Sequence, residues 1–194
     1  MKKHFFLFRH GETTYNLNGY IQGQTNNSVL TEKGTKQAFD IGVRLSKWPI
    51  QVLLCSPLKR AQQTAEQVLK SITVPLITEP RFTEVNVGEL EGMYYKDAEE
   101  KFAEKYKKWR SLEAQYQDVS FKGGESKRQV KERIFSGLEY YATQTEYEYM
   151  AVSAHGILLT QTLLRLGESL HDVPNGHIMH IVYENKIWRK ENDV

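Results

Sequence analysis

Short apolar runs alternate along this chain with stretches whose apolar residues recur every three or four positions. Residues 5–8 form one such run, Phe5-Phe6-Leu7-Phe8, which stops at Arg9-His10-Gly11 and reads as a buried strand ending in a turn. Thr31 caps a helix whose small or apolar positions, Gly34, Ala38, Ile41, Gly42 and Leu45, share one face. Residues 52–55 make a second buried strand. Ser56-Pro57 then opens a helix, with serine as the cap and proline in the first turn, running through Ala61, Ala65 and Val68. Residues 74–77, bounded by Pro75 and Pro80, predict a third strand. The stretch 94–109 is rich in Glu, Lys, Tyr and Ala and reads as a largely solvated helix. After the break at Gly123-Gly124, Ser126 begins a helix with Val130, Ile134, Leu138 and Tyr141 on one face. Residues 150–154 form a strand that stops at His155-Gly156, and a helix through Leu158, Leu159, Thr162, Leu163 and Leu166 follows, closed by Gly167. A hairpin around Asn185-Lys186 joins strands 178–184 and 187–189.

Strands alternating with helices predict an α/β fold: a three-layer α/β/α sandwich around a mostly parallel sheet. No repeat, low-complexity segment or linker divides the chain. Residues 1–194 read as a single domain, with 94–122 as a small helical cap inserted into it.

Composition narrows the chemistry. Of the 194 residues, 40% are hydrophobic and 26% charged, which excludes disordered, collagenous and coiled-coil classes. Lys and Arg number 26 against 24 Asp and Glu, and the net charge of +2 gives no reason to expect nucleic acid as a partner. Anion binding must therefore come from a few converging side chains. The lone cysteine, Cys55, makes neither an internal disulfide nor a cysteine-based zinc site, which fits a reducing compartment. The apolar run after Lys2-Lys3 is too short for a signal peptide, and nothing approaches the roughly 18 apolar residues of a membrane span. A soluble, unprocessed, cytoplasmic protein with no membrane partner is expected. The oligomeric state stays open, a homodimer included.

Ligands of open α/β sheets bind beyond the carboxyl ends of the strands. Three strands end at Arg9-His10-Gly11-Glu12-Thr13, at Ser56-Pro57-Leu58-Lys59-Arg60 and at His155-Gly156, so two histidines and two arginines can meet at one edge. Arg60 lies about a turn into its helix, and helical side chains lean back toward the N-terminus, so it reaches the strand ends. Two guanidinium forks suit a phosphoryl group. Neutral imidazole is a fair nucleophile toward phosphorus, and a second histidine can donate to phosphoryl oxygens. Side-chain cations of this kind need no metal motif. His171, His177 and His180 with Asp172 fit no standard ligand spacing and read as structural, so no metal and no cofactor are expected. There is no Gly-x-Gly-x-x-Gly and no Walker-type loop.

Arg9-His10-Gly11-Glu12-Thr13 followed by Asn16 resembles the signature of the histidine phosphatase superfamily, the phosphoglycerate mutase-like proteins. Gln22-Gly23, Leu30-Thr31 with Gly34, Gln37 and Ala38, residues 56–65, Gly123-Gly124-Glu125-Ser126 and Val152-Ser153-Ala154-His155-Gly156 are similar to its later blocks in order. The resemblance implies a phosphoglycerate mutase-like fold, His10 as the nucleophile that becomes a phosphohistidine, and Arg9, Arg60 and His155 holding the phosphoryl group. It implies that Asn16, Gln22, Gly23 and Gly156 line the phosphate pocket and that Glu84 passes protons to the leaving group and from water, with Glu12 as the alternative carboxylate. Mutases of the family usually carry Arg after the acidic Glu, where this chain has Val85, and often Thr where it has Gln22; Lys107, Lys108 and Arg110 do not match their paired cap arginines. The resemblance therefore favours a metal-independent phosphomonoesterase acting on small phosphorylated metabolites. The alternative is a 2,3-bisphosphoglycerate-dependent phosphoglycerate mutase. An idle phosphate-binding module is a third reading, and the intact set Arg9, His10, Arg60, Glu84 and His155 argues against it. Tyr94, Tyr95, Tyr106 and Trp109 either pack the cap or line the substrate pocket.

Overall fold

The alternation within the first strand decides how the layers are built. In the computed structural model, which describes all residues except 1, 169, 171, 192 and 193, β1 (Lys3–Arg9) lies inside a six-stranded sheet. Phe5 and Leu7 point to one face and Phe6 and Phe8 to the other, all fully buried. A strand buried on both sides carries an unbroken apolar run, as this one does.

The remaining elements follow that division. They are α1 (Thr14–Asn18), α2 (Glu32–Leu45), β2 (Val52–Cys55), α3 (Lys59–Val68), β3 (Leu76–Thr78), α4 (Tyr95–Arg110), α5 (Lys127–Gln144), β4 (Tyr149–Ala154), α6 (Gly156–Arg165), β5 (Ile178–Glu184) and β6 (Ile187–Lys190). Ile41 and Leu45 of α2 and Ala61, Ala65 and Val68 of α3 pack with Phe6, Phe8, Leu53 and Cys55 on one face. On the other face Ile134 and Leu138 of α5 and Leu158, Leu159 and Leu163 of α6 pack with Phe5, Leu7, Val52 and Leu54. This is the α/β/α sandwich that the pattern predicts. The strand order is β3-β2-β4-β1-β5-β6. β3, β2, β4 and β1 run parallel, whereas β5 lies antiparallel to both its neighbours, β1 and β6, so the sheet is mixed.

Two boundaries differ from expectation. α3 begins at Lys59, its N-cap is Leu58 without a side-chain bond, and Ser56 and Pro57 precede it. Ser56 Oγ accepts from the Leu58 N–H at 3.3 Å and makes a turn before the helix rather than capping it. β3 begins after Pro75, whose carbonyl accepts from Leu53 N–H at 2.9 Å but whose own nitrogen has no proton to extend the ladder. α1, absent from the sequence reading, is a single turn closed by a capping box between Thr13 and Asn16.

The segment 94–122 carries α4 and a 3₁₀ turn at Ala114–Tyr116. Most of α4 is solvated, but Ala98, Tyr106 and Trp109 are buried and join Phe121 in the core cluster of the α5/α6 face. The helix is interrupted at Ala103, where φ is 38°. Among the described residues no helix is long and apolar enough to cross a membrane.

Candidate active site

Register brings the predicted residues together. β1 and β4 are parallel with Arg9 opposite Ala154, and β2 pairs with β4 with Cys55 opposite Ser153. His10, Ser56 and His155 therefore leave three neighbouring strands at the same edge. The His10 N–H donates to the Ala154 carbonyl at 3.1 Å, and the two imidazole centroids lie 5.4 Å apart.

The bonds around His10 fix its tautomer. Nδ1 lies 2.8 Å from the Gly11 carbonyl, which can only accept, so Nδ1 carries the proton. Arg60 Nε, which can only donate, lies 3.2 Å from Nε2. Nε2 is thus the unprotonated nitrogen. Burial, with the Arg60 and Arg9 cations nearby, holds this imidazole well below the usual histidine range.

Arg60 sits in the first turn of α3 and is buried, with its guanidinium turned back over the strand ends. Nη2 donates to the Gly23 carbonyl at 2.7 Å and Nη1 to the Thr25 carbonyl at 3.1 Å. Arg9 Nη1 donates to the Val173 carbonyl at 2.5 Å, and its buried Nε meets no partner. Burial lowers both guanidiniums, Arg60 to about 10, which leaves each charged at neutral pH. A buried and a half-buried cation bonded only to carbonyls and an imidazole are costly without an anion. That cost is removed when a dianion enters between them.

Glu84 closes the opposite wall. Its Oε1 accepts from the N–H groups of Val85 at 3.0 Å and Leu158 at 3.2 Å, and Oε2 from Ile157 at 3.1 Å. The carboxylate therefore rests on the N-terminus of α6, where orphan N–H groups and the helix dipole favour negative charge. A second layer holds its backbone. Gln24 Nε2 donates to the Glu84 carbonyl at 2.9 Å, and Arg133, ion-paired with Glu125 at 3.0 Å, donates to the carbonyls of Arg81 and Thr83. The Glu125 block of the sequence thus serves the Glu84 loop. Glu12, the alternative carboxylate, faces away: it bonds Thr31 Oγ1 and pairs with Lys33 at 2.8 Å.

A cavity of about 320 Å³ opens over this group, lined by Arg9, His10, Asn16, Gln22, Gly23, Arg60, Glu84 and Gly156. Gly23 has φ of 51°, and a Cβ there would lie 2.6 Å from Glu91 Oε1, so only glycine lets the loop pass this close. At Gly156 a Cβ would come within 3.3 Å of Arg9 Nε and crowd the guanidinium. His155 is the exception among the expected residues. It is fully buried behind His10 and does not line the cavity; Nε2 bonds Ser56 Oγ at 2.7 Å and Nδ1 has no partner. Burial, then Arg60, holds it too well below the usual range.

Sequence reasoning did not find Asn175. Its Nδ2 donates to the His10 carbonyl at 3.0 Å and to Asn16 Oδ1 at 3.3 Å, tying the two expected residues together. Asn175-Gly176 reads in sequence only as a turn. Tyr95, Tyr106 and Trp109 do line the cavity, while Tyr94 meets Tyr20 edge-on and Tyr95 at a tilt. Of the other histidines, His171 lies outside the described residues, and His180 stacks on Phe6 and shares a 2.9 Å contact with His4.

The chain is 39% identical over 166 residues to a metal-independent phosphoserine phosphatase of Arabidopsis thaliana, covering 84% of this chain and 68% of that protein. It is 30% identical over 190 residues to a probable phosphoglycerate mutase of Escherichia coli, covering 94% and 86%. Its fold matches the crystal structure of a phosphoglycerate mutase from Bacillus anthracis with a TM-score of 0.87 at 24% identity, over 98% of this chain and 92% of that one. The family model of the histidine phosphatase superfamily, branch 1, matches residues 5–192, and the chain belongs to that superfamily.

Proposed function

We propose that the chain is a metal-independent phosphomonoesterase that hydrolyses small phosphorylated metabolites through a phosphohistidine at His10. The observation that carries this reading is the deprotonated Nε2 of His10, held beside Arg60 and across one cavity from Glu84. A phosphomonoester enters with its dianion between Arg9 and Arg60, and Asn16, Gln22, Gly23 and Gly156 surround it. A phosphoryl oxygen takes over the guanidinium contact that Nε2 now has, which frees the lone pair. Nε2 attacks phosphorus in line as the ester P–O bond breaks. Glu84 enters the step protonated and gives that proton to the departing alkoxide, then regains one from the water that attacks the phosphohistidine, and inorganic phosphate leaves. His155, buried with its ring centroid 5.4 Å from that of His10, keeps the His10 ring in place.

The relatives support hydrolysis and leave a second reading, since the Escherichia coli relative is named a probable mutase. Mutase chemistry needs the phosphohistidine to survive until a second acceptor arrives. We place the enzyme in the cytoplasm, a compartment consistent with its single thiol, which burial pushes up to about 12 and out of reach of redox chemistry. Its partner is a small phosphorylated substrate rather than nucleic acid or membrane.

The test is phosphate release from a panel of phosphomonoesters, p-nitrophenyl phosphate included, with and without EDTA. Turnover that EDTA leaves unchanged is expected. Transfer from 2,3-bisphosphoglycerate to 3-phosphoglycerate outrunning phosphate release would favour the mutase reading, and activity lost to EDTA would contradict metal independence.

A further inference from the structure

Beside the catalytic cavity, one turn further along α6, lies a smaller recess of about 50 Å³. Ile157, Thr160, Trp109, Arg110 and Asp172 belong to both. Lining the recess are two polar side chains that the proposed hydrolysis does not use. Gln161 is completely buried, and neither its Nε2 nor its Oε1 has a hydrogen-bond partner among the described residues. An amide buried with both ends unsatisfied is expensive, because each group has lost water without gaining a partner. Lys127, which lines the same recess, is buried, and its ammonium donates to the Trp109 and Ser111 carbonyls. Those two bonds leave one ammonium proton unassigned. Arg110 at the rim is already matched by Asp172 at 2.9 Å, so the surplus positive charge of the recess is that of Lys127.

We infer that this recess is a subsite for a carboxylate on the alcohol portion of the substrate, with Gln161 and Lys127 as its specificity-determining residues. The inference rests on the phosphatase reading, since it places the leaving group. A carboxylate accepts from both the amide N–H and the ammonium, and it offsets the unpaired charge. A recess of this volume exceeds the roughly 10–15 Å³ needed for a water and admits a carboxylate-sized group. Distance agrees as well. Glu84, which meets the leaving oxygen, is bonded to Ile157 N–H, and four residues of helix separate Ile157 from Gln161, a rise of about 6 Å. That span suits an alcohol whose carboxylate is two or three carbons from the ester oxygen. Burial and Arg110 lower the Lys127 ammonium to about 8, so an arriving anion also secures its protonated form.

The experiment compares kcat/KM for matched esters, O-phosphoserine against O-phosphoethanolamine and 3-phosphoglycerate against glycerol 3-phosphate, all read as phosphate release. Each ratio is taken within one enzyme, so a variant's general loss of active protein cancels. Wild type is expected to favour the carboxylated member by about 10- to 100-fold, the range given by one or two charge-assisted hydrogen bonds. Gln161→Leu and Lys127→Met should each bring the ratio toward one. A wild-type ratio near one, or a preference that persists in both variants, would overturn the subsite. Neither result touches the phosphatase reading, which fails only if no ester, p-nitrophenyl phosphate included, is hydrolysed.

Discussion

At the scale of single residues, the chemistry turns on which nitrogen and which oxygen are free. His10 is held with Nε2 bare by two neighbours that leave no choice of tautomer. Glu84 has three backbone donors on its carboxylate and still borders the cavity. Glu84→Gln keeps the shape and part of that bonding but has no proton to give. It should lower kcat for an alkyl phosphate by about 10²–10⁴-fold, and far less for p-nitrophenyl phosphate, whose leaving group needs no acid. Equal losses on both substrates would assign Glu84 a structural role instead. Arg9, His10, Arg60 and Glu84 were legible because short motifs carry them. Asn175 and Arg133 were not: each acts through contacts to carbonyls distant in sequence, and the residue type alone gives no sign of which carbonyl it will meet.

At the scale of elements, the apolar pattern located α2 and α5 closely, because Thr31 and Ser126 cap them with their own side chains. It misplaced the start of α3, where Ser56 is drawn instead to His155 and to the turn before the helix. A cap motif is a local preference, and here a tertiary partner outcompetes it. Gly34 offers a sharp test of such competition. Helix propensity alone favours alanine over glycine by about 1 kcal/mol. Yet a Cβ at Gly34 would lie 2.0 Å from the Glu12 carbonyl oxygen, where the loop after β1 crosses α2. Overpacking against backbone costs about 1–3 kcal/mol or more, so the clash wins. Gly34→Ala should lower the Tm and, by displacing the loop that carries His10, lower kcat as well. An unchanged or raised Tm would show that the loop yields.

At the scale of the whole molecule, the parallel part of the sheet and its closing hairpin were foreseen, but the antiparallel pairing of β5 with β1 was not, since strands buried on both faces carry no mark of direction. A net charge of +2 says nothing of anion binding, yet two guanidiniums concentrate positive charge at one edge of the sheet. That concentration has a cost that pH exposes. His10 and His155 are held well below their ordinary value of 6.5, and burial takes His180 to about 4. The unfolded chain therefore binds more protons than the folded one below 6.5, and stability present above that value is lost as pH falls toward the folded values. The Tm should drop between about pH 7.5 and pH 5; a Tm that holds across this range would mean the buried histidines do not stay neutral. The central claim is covalent. Enzyme mixed with substrate and quenched in alkali, where a phosphorylated imidazole survives, should carry one phosphoryl group on the peptide containing His10. His10→Ala should lose that label together with at least about a thousandfold in kcat. A label on any other residue, or a His10→Ala enzyme that still turns over at the wild-type rate, would contradict the account.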